Sequence, residues 1–268
     1  MSNTKLILDR LVVELKQKES VVAFVLIGSQ ARDEVYKAND FSDIEAIIVV
    51  KDEDFVEFES GLDSLVRQLG NVLFSFKHQI GFVATFDDLF RLELPVVKQS
   101  EIKSTFSRPK AQTVKILIDK TDGKLEEVLN NRPETTNYEE LFKDKAINFW
   151  YWQIIAVQYF KKGELYNSRV VLNIHTSALI KLLELLNEPT VLDLETNKRI
   201  EQFLSKEQLD LLRKTSPSYN PDQIKQSLFD VMEIFPKIFL EVKSKYGYEF
   251  DETLEEKLKP KLLEFLKD

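Results

Sequence analysis

Two acids two residues apart, Asp43 and Glu45, stand at the head of an apolar run that continues to Val50, shortly after another apolar run stops at Gly28-Ser29. No other feature constrains the fold of this chain as strongly. Phe24-Val25-Leu26-Ile27 reads as a buried strand ending at a glycine and a hydroxyl residue, and residues 43–50 read as a second strand after the intervening residues 30–41. Side chains at i and i+2 of a strand point to one face, so both carboxylates project together from a segment that otherwise reads as buried. At about 5 Å and an effective dielectric of about 20, two such charges repel by roughly 3 kcal/mol, and desolvation adds to that. A divalent cation reverses the sign. Paired hard oxygens with positions left open for substrate phosphates suit Mg²⁺, which takes one or two carboxylates and keeps several waters. Gly28 lets a backbone approach a phosphate closely, and Ser29 adds a hydroxyl donor. The plainer alternative is a half-buried edge strand with Asp43 and Glu45 in water; a Gly-Ser turn so near the acids weighs against it.

Composition narrows the chemistry further. The chain has no Cys and only two His, His78 and His175, so it has no disulfide framework or thiolate site, and a zinc site is not expected. Neither histidine has a spacing that suggests a metal, and both read as structural. Any metal should be bound by oxygen. A formal net charge of -8 argues against sequence-independent grip on nucleic acid, which rests on many Lys and Arg at phosphates, and suits a small cationic acceptor. No run approaches the roughly 20 apolar residues of a spanning helix, and the first five residues lack signal-peptide architecture. The expectation is a cytoplasmic protein with no membrane partner.

The 268 residues accommodate two domains of ordinary size. Apolar spacing predicts helices at residues 6–16 and 55–69. Strands are expected at Val21–Ile27 and Ile44–Val50 and in the shorter runs 72–76, 80–86, 90–97 and 114–118. Asp122-Gly123 is a turn signal, and Asn130-Asn131-Arg132-Pro133 breaks the chain. Beyond Pro133 every long segment reads as helix: 138–161, 166–186, 196–203, 206–214, 221–245 and 253–267. Pro236 should kink or break the fifth of these. The expected architecture is a mixed α/β domain over residues 1–133 carrying the acids, then an all-α domain over residues 134–268, with a cleft between them as the natural place for a ligand.

Transfer of a phosphoryl group to an alcohol also needs a proton acceptor. Glu93, in Phe90-Arg91-Leu92-Glu93-Leu94-Pro95-Val96, is the best candidate, because an acid held in an apolar run near other carboxylates is the kind that acts as a base near neutral pH. A solvent-facing Glu alternating with Leu92 and Leu94 is the other reading. Pro95 is consistent with an edge strand. Arg91 shares a strand face with Glu93 and can pair with an acid or a phosphate, the ion pair being the simpler assignment. Phe149, Trp150, Tyr151 and Trp152 form an aromatic cluster in which core packing is favoured over walling an acceptor pocket. Lys161 and Lys162, before Gly163, either reach a triphosphate or sit at a solvated helix C-terminus, where Lys complements the macrodipole.

Gly28-Ser29 followed by Ser42-Asp43-Ile44-Glu45 resembles the signature of the DNA polymerase beta-like nucleotidyltransferases. Four further stretches, residues 86–93, 116–126, 148–150 and 161–166, make the chain specifically similar to the lincosamide nucleotidyltransferases of the larger, two-domain type, and the last two are also similar to the streptomycin (aminoglycoside) 6-adenylyltransferases. The similarity runs over nearly the whole chain. Residues 30–41 are closer in length to the streptomycin-modifying enzymes, and Leu92 stands where the lincosamide enzymes have Gly. Glu45, where the wider superfamily commonly has Asp, is shared with the lincosamide enzymes.

The resemblance implies a nucleotidyltransferase domain, a mixed sheet flanked by helices, followed by a helical-bundle domain that binds substrate. It implies transfer of a nucleoside monophosphate from an NTP, ATP foremost, to a hydroxyl of a small antibiotic, with pyrophosphate released and the drug inactivated. Asp43 and Glu45 would hold one or two Mg²⁺ ions, Gly28, Ser29 and Lys162 would bind the nucleotide, and Glu93 would be the base. Relatives are often dimers, and the apolar faces of the long C-terminal helices leave room for a homodimer. Two alternatives stay open: the same fold nucleotidylating a protein or tRNA, as toxin-type relatives do, or a catalytically silent nucleotide-binding module.

Overall fold

The computed structural model describes residues 3–31, 42–78, 81–107, 113–133, 137–187, 200–249 and 252–267. The chain divides into two compact units, Met1–Glu134 and Thr135–Asp268.

The first unit is built on one seven-stranded sheet. Its strands are β1 (Val21–Ile27), β2 (Ile44–Val50), β3 (Val72–His78), β4 (Gly81–Phe86), β5 (Arg91–Leu94), β6 (Val96–Lys98) and β7 (Lys115–Asp119). The order across the sheet is β3-β4-β5-β2-β1-β7, with β6 continuing alongside β2. β1 runs antiparallel to both β2 and β7, whereas β2 runs parallel to β5 and β6. β1 and β2 are central, which is why they read as nearly unbroken apolar runs.

Helices cover both faces. On one side α1 (Asn3–Lys16) and α2 (Phe55–Arg67) pack Ile7, Leu11, Leu62 and Val66 against Phe24, Leu26, Ile44, Ile48 and Leu92. On the other, α3 (Ile102–Thr105) and α4 (Lys124–Asn130) bring Ile102, Leu125 and Leu129 against Val22, Val25, Ile47 and Val49. Neither short helix was expected from periodicity. α4 is set up locally: Asp119 Oδ1 accepts from the Thr121 amide and hydroxyl at 2.8 and 2.7 Å, and Thr121 Oγ1 accepts from the Leu125 amide at 3.0 Å.

The structure corrects the reading of residues 90–97 as one strand at an edge. β5 lies inside the sheet between β4 and β2, and Pro95 interrupts it to give β6. The missing N–H falls at this break, while the Pro95 carbonyl still accepts from the Ile48 amide at 2.9 Å and keeps the second half in register beside β2.

The second unit is helical throughout its described residues: α5 (Tyr138–Lys161), α6 (Leu165–Asn187), α7 (Ile200–Phe203), α8 (Lys206–Thr215), α9 (Pro221–Tyr246) and α10 (Thr253–Lys267). Asn137, Ser205 and Asn220 cap α5, α8 and α9 by accepting from the amide three residues on, each satisfying an otherwise orphaned donor. The expected break at Pro236 does not occur. α9 continues through it with Pro236 buried, held by packing of its apolar face against α5 and α6. The first part of the helix expected at 196–203 falls outside the described residues.

α6 is, by length and composition alone, long and apolar enough to cross a membrane, contrary to the sequence expectation. Half of that window is buried inside this unit, where Leu172, Leu179, Leu182 and Leu183 join the core.

Candidate active site

Strand alternation decides which way the acids face. Ile44, Ala46 and Ile48 of β2 and Leu92 and Leu94 of β5 belong to the core under α1 and α2. Glu45 and Glu93 therefore point to the opposite face, the side of Ile47 and Val49. Asp43 immediately precedes β2 and has the same parity. In the parallel β2–β5 ladder Glu45 lies directly beside Glu93, placing their backbones about 4.8 Å apart. All three acids are partly buried.

β1 brings the glycine to them. Ile27 pairs with Glu45, and the chain then turns through the short helical segment Gly28–Ala31, with Gly28 at φ +66°. A β-carbon at Gly28 would lie 3.2 Å from Glu45 Cδ and closer still to Oε2. Glycine suits this turn because the left-handed conformation disfavours a side chain, and a side chain here would require the Glu45 carboxylate to move aside. Ser29 follows in the same turn, partly buried.

Arg91 completes the cluster. Its Nη2 donates to Asp43 Oδ2 at 2.7 Å and lies 3.1 Å from Glu93 Oε1. Sequence reading anticipated an ion pair with one acid; the guanidinium bridges two, because Arg91 and Glu93 share a face of β5 and Asp43 heads the neighbouring strand. Gly28, Asp43, Glu45 and Glu93 thus form one site, with Ser29 in its turn.

Among the described residues, no group of three or more His, Asp or Glu side chains could hold a metal ion by itself. A cation here must draw much of its shell from substrate oxygens and water, the mode that Mg²⁺ favours. Between Asp43 and Glu93 the structure places the Arg91 guanidinium.

Lys162 belongs to the second unit. It follows the last residue of α5, is exposed, and places Nζ 6.0 Å from the centre of the Tyr159 ring. Trp150 is buried beside Phe149 in the helical core, whereas Tyr151 is exposed. His175 is buried between Phe149 and Phe235, with ring centres 5.1 and 5.6 Å away, and burial pushes its pKa down to about 3. His78 lies on the exposed strand β3. A cavity of about 430 Å³ in this unit is lined by residues of α5 and α6, including Asn148, Trp152, His175 and Lys181.

With this geometry in place, the sequence comparison is decisive: residues 1–265 match the model of the streptomycin adenylyltransferases. The chain belongs to that family. It is a nucleotidyltransferase of the antibiotic-modifying type. A crystal structure of an aminoglycoside 6-adenyltransferase from Bacillus subtilis aligns over 100% of both chains at 14% identity with a TM-score of 0.40. No curated protein matches the sequence.

Proposed function

We propose that this adenylyltransferase moves AMP from ATP to a hydroxyl of an aminoglycoside of the streptomycin type, releasing pyrophosphate, and that Mg²⁺ is required. The observation that carries the reading is the convergence of Asp43, Glu45 and Glu93 beside the Gly28 turn, in a chain whose family modifies streptomycin. The formal charge of -8 supports a cationic acceptor.

Asp43 and Glu45 would hold the metal, which when bound neutralises charge developing on the triphosphate. The Gly28-Ser29 turn offers backbone N–H groups and a hydroxyl to the departing pyrophosphate. Glu93 takes the proton from the acceptor hydroxyl as that oxygen bonds to the α-phosphorus, and the bond to pyrophosphate breaks with its electron pair leaving on pyrophosphate. Reaction through a positioned base and neutralised phosphates needs no covalent intermediate. Lys162 is a further candidate phosphate ligand.

A lincosamide acceptor is the second reading, favoured by Glu45 and by residues 86–93. Both are tested by measuring pyrophosphate release with Mg²⁺ and ATP against a panel of aminoglycosides and lincosamides. Release with streptomycin-type acceptors supports the first reading, and release with lincosamides alone replaces it with the second. Silence with every acceptor despite tight ATP binding rejects both and points to a protein or nucleic-acid target.

A further inference from the structure

One guanidinium nitrogen, Arg91 Nη2, lies 2.7 Å from Asp43 Oδ2, just before β2, and 3.1 Å from Glu93 Oε1 on β5. It therefore occupies the point on which both converge. A divalent ion on Asp43 would stand within a few ångströms of the Arg91 guanidinium, which contacts Oδ2 of the same carboxylate, and like charges so close repel. We propose that Arg91 is a positioning residue and a placeholder cation: it holds Asp43 and Glu93 together before the donor arrives and excludes free metal from Asp43. It yields that place only to metal carried in by the triphosphate, and its guanidinium then turns to the phosphates. The inference rests on the metal-dependent reading given above.

The exchange is chemically balanced. Before it, the two carboxylates share Arg91. After it, the metal is on Asp43, Glu93 faces the acceptor, and the guanidinium has phosphate oxygens, which it can engage through two parallel bonds. The Arg91 side chain is 44% exposed, against 28% for Asp43 and 22% for Glu93, so solvent-side space lies beside it, while the next residue, Leu92, is fully buried. The base is thereby released only when nucleotide is present.

The test uses Mn²⁺ as the probe, counted by the electron paramagnetic resonance of the free ion, with full-length parental protein, Arg91→Gln and Arg91→Lys, each with and without α,β-methylene-ATP. Loss of the partly exposed ion pair to Asp43 should tighten Mn²⁺ binding to nucleotide-free Arg91→Gln by up to roughly fivefold. Arg91→Lys should stay near the parental affinity, and Arg91→Gln should bind the analogue more weakly. If Arg91→Gln fails to fold, the same tightening is required of Arg91→Met, which keeps the stem and loses the charge. Parental-like Mn²⁺ affinity in the nucleotide-free neutral variant, with normal Mn²⁺ uptake beside the analogue, overturns the placeholder role alone. Absence of Mn²⁺ binding in every form, with the analogue no more than the same analogue binds without protein, overturns both this role and the metal reading beneath it.

Discussion

Replacing Gly28 with alanine tests how the site is built, because the substitution acts in two separable ways. Gly28 sits at φ +66°, and a left-handed alanine costs roughly 1–2 kcal/mol. The added methyl would also lie 3.2 Å from Glu45 Cδ and against Oε2, so the carboxylate must turn aside. A displacement of about 1 Å in a catalytic constellation costs on the order of a hundredfold in rate. Gly123 supplies the control. It has φ +82°, and a β-carbon added there would meet nothing within 4 Å, so Gly123→Ala carries the same backbone strain without touching the acids. Urea unfolding should show both variants destabilised by a similar roughly 1–2 kcal/mol. Initial rates of pyrophosphate release with ATP and the acceptor should show Gly28→Ala down about a hundredfold in kcat/KM and Gly123→Ala near the parental value. Equal activities for the two variants would refute the claim that the Gly28 turn holds the Glu45 carboxylate in place.

Glu93→Gln keeps the shape of the site and removes its base, so kcat should fall about 10²- to 10⁴-fold with little change in ATP affinity measured by calorimetry; a kcat within a few-fold of the parental value would assign the base elsewhere. His175 has its folded pKa depressed to about 3 by burial, from 6.5, so between those values the unfolded chain binds a proton that the folded chain does not. Stability therefore rises with pH across that window and is lost as pH falls through it, by about 1.4 kcal/mol per pH unit for one proton. Urea melts of His175→Phe at several pH values should show a slope shallower by about that amount, and an unchanged slope would mean that His175 is not the group responsible.

Strong period-2 and period-3.6 patterns made most of the fold legible. β1, β2, α5 and α10 run over the residues their apolar spacing marks out, because each buries a continuous face. α3 and α4 were missed since four and seven residues are too few to show a period; the Asp119–Thr121 capping pattern before α4 was the signal available. The edge position read from Pro95 and the break allowed for at Pro236 failed for a common reason. Proline's local preference was weighed without its tertiary setting, and packing carries α9 past Pro236 while the Pro95 carbonyl rejoins the sheet. For the site, alternation placed Asp43 and Glu45 on one face, and the apolar frame around Glu93 marked it out. What sequence could not supply was strand adjacency: the parallel pairing of β2 with β5 sets Glu45 beside Glu93 and allows Arg91 to bridge two acids. Periodicity within one strand carries no information about which strand lies next to it.

The central claim is that the carboxylate cluster ending at Asp43 positions a metal-bound triphosphate for attack by an alcohol. Its most direct test is transfer of label from [α-³²P]ATP to the acceptor as Mg²⁺ is titrated, for the parental chain and for Asp43→Asn, with folding followed by circular dichroism. The account predicts Mg²⁺-dependent transfer by the parental protein and background transfer by a fully folded Asp43→Asn at every Mg²⁺ concentration. Near-parental transfer by Asp43→Asn would contradict it.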